Sequence, residues 1–436
     1  MLILRKHWMK QFFCYRLECF KQFTHAAGHG RYNLCMLVTC CIINVGAVID
    51  MLGYSLVVPA ASCDLNLTLE QGGVLKSISF AGFTFALPWG YITDTRGRRR
   101  AILVSCTVGF IITAMTSLST SFYMMLVLKF LASSFSGASM TLTIAYLGES
   151  TSMARRNRYL FIQSIASIGA DLVAFGMAYI CFVFDFEIPV PLIKTYKPWR
   201  LLIFIHSLPL GIGAVMMYFF QESPKFLANK GETEKALQVL GTIFKANHGK
   251  GAVYPVQSLM KTDKLDQTTS FWESVVKQTF PVFKPPLLWR SMQLFLLLSI
   301  CCATNNVFVM WFPTMVNSFF STGDEDIGFC QKIVAKITPN VVDGICEDIS
   351  SMNTIYSGML FSLLFIIINV AAIAISDWRR SLMTACFLLC AVCCITVHMV
   401  RDATGSMVIF IMIQLTGICI GCVYSYYVDL FPTSYR

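Results

Sequence analysis

Apolar residues in this chain gather into runs of roughly 20, long enough to cross about 30 Å of hydrocarbon as α-helix. Ten such runs lie near residues 35–60, 72–92, 101–120, 122–147, 159–184, 200–220, 290–316, 353–375, 381–400 and 405–428. A water-soluble fold of this length would need polar residues on the outer face of most helices, and the uninterrupted runs leave no such face. The pattern therefore predicts an all-α polytopic membrane protein of about ten transmembrane helices. The longest polar stretch, residues 221–288, follows the sixth run. Within it, Ala236, Leu237, Leu240 and Ile243 recur at helical spacing and predict an amphipathic helix at the membrane surface.

Composition agrees with lipid as the solvent: 56% of residues are hydrophobic and 13% charged, against about 25% charged in soluble domains. A net charge of +10 does not read as a nucleic-acid footprint, because Lys and Arg fall in short clusters between apolar runs. With the N-terminus in the cytosol, segments 1–33, 93–100, 149–158, 221–290, 376–380 and 429–436 are inside and hold 26 of the 34 Lys and Arg. The outside loops hold six, and one of them, 318–352, is acidic through Asp324, Glu325, Asp326, Asp343, Glu347 and Asp348. Positive charge on inside loops sets orientation, so a cytosolic N-terminus is expected. The first run is too long, and carries an acidic residue, for a cleaved signal peptide. Asn66-Leu67-Thr68 is a glycosylation sequon in the first outside loop.

Most of the 18 cysteines sit within apolar runs, as in the pairs 40/41, 301/302 and 393/394, and behave there as small hydrophobes. Cys330 and Cys346 differ, since they lie in the acidic outside segment. They form either a disulfide or two free thiols, and Cys63 is a competing outside partner.

Two loop signatures recur. GYITDTRGRRR at 90–100 is echoed by ISDWRRS at 375–381, and YLGESTSMARRNR at 146–158 by YVDLFPTSYR at 427–436. Asp94 and Asp377 lie 283 positions apart, and Glu149 and Asp429 lie 280 apart. Two bundles joined by a cytosolic linker follow, with a 1–33 cytosolic segment, a six-helix bundle at 34–220, the linker at 221–288 and a four-helix bundle at 289–436. On that repeat the second half is expected to be incomplete.

GYITDTRGRRR resembles the loop motif G-x-L-x-D-R-x-G-R-R/K of the major facilitator superfamily, with Gly90, Asp94, Gly97, Arg98 and Arg99 matching and Thr95 in a usually basic place. QESPKFLANKGETEKALQVL resembles the PESPRFL segment of sugar porters, organic-ion transporters and synaptic vesicle glycoprotein 2-like proteins, with Gln221 in place of the leading Pro. DMLGYSLVVPAA at 50–61 and DLFPTSYR at the end look closest to the synaptic vesicle glycoprotein 2-like branch. The resemblance implies a major facilitator fold of two pseudo-repeated bundles, rocking about a site near the bilayer midplane to move a small polar or organic ionic solute.

An ionisable group deep in a span is a functional candidate by default. Asp50, Lys129 and Asp171 are three, and Asp50 and Lys129 are placed to pair with each other or with substrate. Asn305 and Asn306 of the seventh run offer amides either to a solute or to a neighbouring helix. Lys76, one turn into the second run, reads as snorkelling to the interface. Gly90, Asp94, Gly97, Arg98, Arg99, Glu149, Arg155, Arg158, Asp377 and Arg379 form a candidate cytosolic gate, in which carboxylates pair with Arg and cap helix termini. The charges alone also suit anchoring to anionic lipid.

No nucleotide cradle, zinc-ligand spacing or nucleophile pattern occurs, so no cofactor, metal or enzymatic chemistry is expected. The expected partners are the bilayer, a small solute, and protons or another coupling ion, but no nucleic acid. A plasma-membrane or vesicle location is expected. Two further readings remain open: a transport-inactive binding or regulatory protein with the same fold, and a truncated inactive fragment.

Overall fold

The computed structural model describes residues 28–430 apart from 86, 185, 192–193, 250, 253, 256–282, 286, 322–351, 375–377, 398 and 401–402. Each of the ten apolar runs is a helix or a pair of helices. The first is α1 (Arg31–Leu52) and α2 (Tyr54–Ala61), and the second α3 (Leu69–Thr84) and α4 (Leu87–Arg96). The third and fourth are α5 (Arg98–Thr116) and α6 (Phe122–Ser150), and the fifth divides into α7 (Met153–Ile168) and α8 (Ala170–Val183). A two-stranded hairpin, β1 (Ile188–Val190) and β2 (Lys194–Tyr196), precedes α9 (Pro198–Tyr218). The polar stretch contributes α10 (Pro224–Asn229) and α11 (Thr233–His248). Then follow α12 (Leu288–Ser321), α13 (Met352–Ala374), α14 (Arg379–Thr396), α15 (Ala403–Ile413) and α16 (Thr416–Leu430). Seven of the described spans are long and apolar enough to cross a membrane, one of them, Arg158–Val183, running through the break at Gly169; the remaining runs are divided or shorter.

Local chemistry accounts for the helix ends. Thr68 starts α3 with a reciprocal cap: its Oγ1 accepts from Gln71 N at 3.2 Å, and its own N–H donates to Gln71 Oε1 at 3.0 Å. Asn66, just upstream, is exposed and left-handed at φ +48°, a conformation Asn tolerates better than most residues. Pro198 begins α9, where a missing N–H costs nothing.

The exterior is apolar and the interior carries the polar groups. Val215, Phe219, Leu296, Leu360, Leu388 and Ile395 are exposed, whereas Asp50, Lys76, Lys129 and Gln163 are buried. This is the arrangement lipid favours, since hydrocarbon cannot satisfy a polar group but protein can.

Three separate apolar cores fix the relation of the helices. One joins α1, α5, α6 and α9 through Met36, Ile43, Ile102, Tyr146 and Leu210. A second joins α12, α14 and α16 through Leu294, Cys301, Cys386, Cys419 and Val423. The third, at the Asn66 end, is shared between the two sets: Val57, Leu75, Phe175 and Trp199 pack with Phe312, Val316, Ile355 and Phe410. The two sets therefore meet at the Asn66 end, while at the Gly97 end each closes on its own core. The amphipathic helix forms as α11, burying Ala236, Val239, Leu240 and Ile243 against Phe226 and Leu227 of α10.

Candidate functional site

Asp50 and Lys129 meet in the middle of the first bundle, both side chains without solvent exposure. Lys129 Nζ donates to Asp50 Oδ1 at 2.8 Å and to the Asp50 main-chain carbonyl. Thr113 donates to the same carboxylate oxygen at 3.2 Å. Ser136 and Ser133 donate to Oδ2 at 2.6 Å and 3.3 Å. Tyr54 lies beneath the ammonium, its ring centroid 4.2 Å from Nζ, inside the limit of about 6 Å for a cation–π contact. A buried ion pair survives only when its remaining lone pairs and protons are satisfied, and this carboxylate has four donors. Ser133, Ser136, Thr113 and Tyr54 were not among the site residues expected from sequence. A signal existed for two of them, since Lys129, Ser133 and Ser136 fall at i, i+4 and i+7 on one face of α6.

Asp171 occupies a different place. It starts α8 just beyond the break at Gly169, and its carboxylate has no hydrogen-bond or ion-pair partner among the described residues. It lines a cavity at the seam between the two helix sets, with Ser55 and Leu56 of α2, Phe175 of α8, Phe312 of α12 and Phe361 of α13. Phe312 and Phe361 stack at 5.0 Å. Asn305 and Asn306 do not line this cavity. The Asn305 carboxamide instead faces α16, where a Cβ on Gly417 would come within 2.5 Å of its Oδ1. His206 is buried against Gly53 at the α1–α2 break.

Around the Gly97 turn, the charged residues interlock. Gly97 has φ +105°, and an added Cβ would fall 2.5 Å from Glu222 Oε2, so only glycine fits. Glu222 Oε1 accepts the N–H groups of Arg98 and Arg99 at 2.8 and 2.9 Å, capping α5. Arg98 Nε pairs with Glu149 Oε2 at 2.5 Å, Lys225 Nζ lies 3.4 Å from Glu149 Oε1, and Ser223 donates to Glu149 at 3.1 Å. Arg99 donates to the Tyr218 carbonyl at 2.5 Å. Arg155 and Arg158 are exposed and do not join Glu149; Gly90 is exposed with open space around it. Sequence reasoning missed Glu222, Ser223 and Lys225 as members of this cluster, although all three lie in the QESPK segment. The side chains of Asp94 and Arg379, and all of Asp377, Cys330 and Cys346, lie outside the described residues. Cys63 is disulfide-bonded, with its partner also outside them.

At the Asn66 end, cross-seam contacts close the molecule. Lys76 does not snorkel: it is 3% exposed, donates to Thr314 Oγ1 of α12 at 2.8 Å, and lies 4.0 Å from the Trp311 ring centroid. Phe175 sits against Gly358, where any Cβ would fall 2.1 Å from its ring. Tyr179 and Tyr356 lie 5.7 Å apart, ring to ring.

The sequence profile of the Major Facilitator Superfamily matches residues 41–436. The chain belongs to the major facilitator superfamily. Members of this superfamily are integral membrane proteins with several spans, in keeping with the helices described above. Among curated relatives, the putative transporter svop-1 of Caenorhabditis elegans is 27% identical over 224 residues, 51% of this chain and 40% of that protein. Synaptic vesicle glycoprotein 2B of Homo sapiens is 23% identical over 265 residues, covering 58% and 39%. Organic cation/carnitine transporter 7 of Arabidopsis thaliana is 24% identical over 223 residues, covering 51% and 42%. The matched regions thus span about 40% of the length of these relatives. In fold, the chain resembles the inward open conformation of the xylose transporter XylE from E. coli, with TM-score 0.64, 13% identity, and coverage of 92% and 84%. A bacterial homologue of the human lysosomal transporter Spinster gives TM-score 0.55 at 12% identity, covering 94% and 78%.

Proposed function

We propose that this major facilitator chain is a secondary transporter that moves a small polar or organic ionic solute by alternating access, changing no covalent bond. The observation carrying this reading is the asymmetry of the cores. The two helix sets share one apolar core at the Asn66 end and keep separate cores at the Gly97 end. A seam closed at one end and parted at the other suits rocking of two bundles about a midplane site. The boundaries 34–220 and 289–436 describe the two moving bodies, with 221–288 as the cytosolic linker. Positive residues concentrated around the Gly97 turn and the linker support a cytosolic N-terminus, in a plasma or vesicle membrane.

The buried Asp50–Lys129 pair is the candidate for ion coupling. A proton delivered to Asp50 would release Lys129 and loosen the contact between α1 and α6, which is a differential interaction of the kind that shifts a two-state equilibrium. The names of relatives, which include metabolite and organic cation transporters, support a small-molecule substrate.

The test is uptake by the chain reconstituted into liposomes, using radiolabelled sugars, amino acids, organic cations and organic anions, with and without an imposed proton gradient. Saturable, gradient-sensitive uptake of one class is expected. Intact, monodisperse protein that takes up none would sink the transport reading and leave a binding or regulatory role.

A further inference from the structure

Three thiols meet inside the second helix set. Cys301 of α12, Cys386 of α14 and Cys419 of α16 belong to one packed core, and all three are reduced. The Cys419 thiol is hydrogen-bonded to both Cys301 and Cys386. A thiol has one hydrogen to donate, so Cys419 donates to one neighbour and accepts from the other. A tight crossing of α12 and α16 sets this approach: Thr304 Oγ1 donates to Thr416 Oγ1 at 3.1 Å, and Gly417 leaves room for the Asn305 carboxamide. None of the three thiols joins the Asp50 ion pair or lines the seam cavity.

The three differ in access. Cys301 and Cys419 are fully buried, whereas Cys386 is 7% exposed and stands on α14 beside a lipid-facing side that carries Leu388, Leu389, Val392 and Ile395. Water-soluble oxidants partition poorly into that surrounding, but a hydroperoxide on an acyl chain is already dissolved in it. The chemistry balances in two steps. Cys386 Sγ attacks the outer peroxide oxygen and the O–O bond breaks. The thiol proton passes to the departing alkoxide, an alcohol leaves, and Cys386 becomes a sulfenic acid. Cys419 Sγ then attacks Cys386 Sγ, the S–O bond breaks, and hydroxide leaves with the Cys419 proton as water. Two thiols have given up two electrons, and one hydroperoxide has become an alcohol and water. Hydrogen-bond contact makes the second step intramolecular, so it competes well with oxidation of Cys386 beyond the sulfenic stage.

The bridge would land on a helix that is already interrupted. α15 ends at Ile413 and α16 begins at Thr416, so Cys419 lies about one turn past the break. A bond to Cys386 would fix α16 to α14 just beyond it.

We propose that Cys386 and Cys419 form an oxidation site for lipid hydroperoxides, with Cys386 reacting first and Cys419 closing a disulfide between α14 and α16.

The experiment uses the purified 436-residue chain in lipid nanodiscs and does not depend on turnover. The chain is treated with cumene hydroperoxide, remaining thiols are blocked with N-ethylmaleimide, and a chymotryptic digest made without reductant is read by mass spectrometry. The Cys386 and Cys419 peptides should be found joined, and dithiothreitol should part them. Hydrogen peroxide at the same concentration should form the bridge at least about 10-fold more slowly, because it favours water over hydrocarbon. Cys419→Ala should lose the bridge and leave Cys386 as a sulfenic acid, trapped by dimedone. Cys386→Ala should lose both the bridge and the dimedone adduct. Cys390→Ala and Cys422→Ala, one turn away along α14 and α16, should bridge as the parent does. Gel filtration and melting temperature of the reduced variants show that each is folded.

No bridge in the well-folded parent, a bridge from Cys301 to Cys419 instead, dimedone on Cys301 and not Cys386 in the Cys419→Ala chain, or an equal rate with hydrogen peroxide would each overturn the proposal. A Cys386–Cys419 bridge in a chain that takes up no solute would uphold the site and sink the transport reading. Solute uptake by a chain that forms no bridge would do the reverse.

Discussion

Lys129 and Asp50 show how much a single residue's burial can be worth. Either one alone in the first bundle would be a charge in hydrocarbon; together, with three hydroxyl donors, they form a neutral and saturated unit. Removing one partner of a buried pair costs about 3–5 kcal/mol, whereas removing both is often nearly neutral. Asp50→Asn and Lys129→Met should therefore each lower the melting temperature of the purified chain markedly, and the double variant should recover most of the loss. Additive destabilisation in that double-mutant cycle would contradict the pairing. The possibility that these two meet was readable from sequence, because an acid and a base each lay deep in an apolar run. The hydroxyls that complete the cage were not, because serine in a membrane helix is just as common at a close helix crossing. Lys76 misled for a related reason. Its depth, one turn into a span, suits snorkelling, and only the fold brings Trp311 and Thr314 from 235 or more positions away to receive it.

Elements were more legible than sites. All ten apolar runs became helices or helix pairs, since the length of an apolar run is set by the thickness of hydrocarbon. The breaks at Gly53, Gly169 and residues 414–415 were not foreseen, nor was the short hairpin at Ile188–Tyr196. Breaks of this kind depend on what packs alongside, such as His206 against Gly53. The clearest element-level device is the cap on α5. Glu222 reaches over more than 120 positions to accept two backbone N–H groups at a helix N-terminus, where a carboxylate also meets the positive end of the helix dipole. Glu222→Ala should destabilise the chain by about 1–2 kcal/mol and expose the Arg98–Arg100 turn. Faster tryptic cleavage there, with the transmembrane bundle otherwise intact, is the expected readout. An unchanged cleavage rate would argue against the cap. Glu149 gave a different lesson: its neighbours in sequence, Arg155 and Arg158, point to solvent, while Arg98 and Lys225 from other segments hold it.

For the molecule as a whole, the issue is what holds the Asn66 end shut. Lys76 is the polar component of that closure, through one hydrogen bond and one cation–π contact across the seam. Together such contacts contribute about 1–2 kcal/mol. Lys76→Met keeps the side-chain volume but removes both, so it should shift the equilibrium about 5- to 30-fold toward opening at this end. A membrane-impermeant maleimide would report that shift as faster labelling of a cysteine placed at Ser55→Cys, a buried residue lining the seam cavity. No change in rate would mean that the apolar packing of Phe175, Phe312 and Ile355 suffices alone. The converse experiment fixes the closure in place. Tyr179 and Tyr356 face one another across the seam, so Tyr179→Cys with Tyr356→Cys, in a background where the exposed native thiols are replaced, should be bridged by a short bis-methanethiosulfonate reagent. If the two bundles rock to carry solute, bridging must abolish uptake, and reduction must restore it. Each single-cysteine variant treated the same way should keep its uptake, because a cross-link needs both bodies. Undiminished uptake by the bridged protein would mean that solute crosses without separation of the bundles at this end, and the rocking mechanism would fall with it.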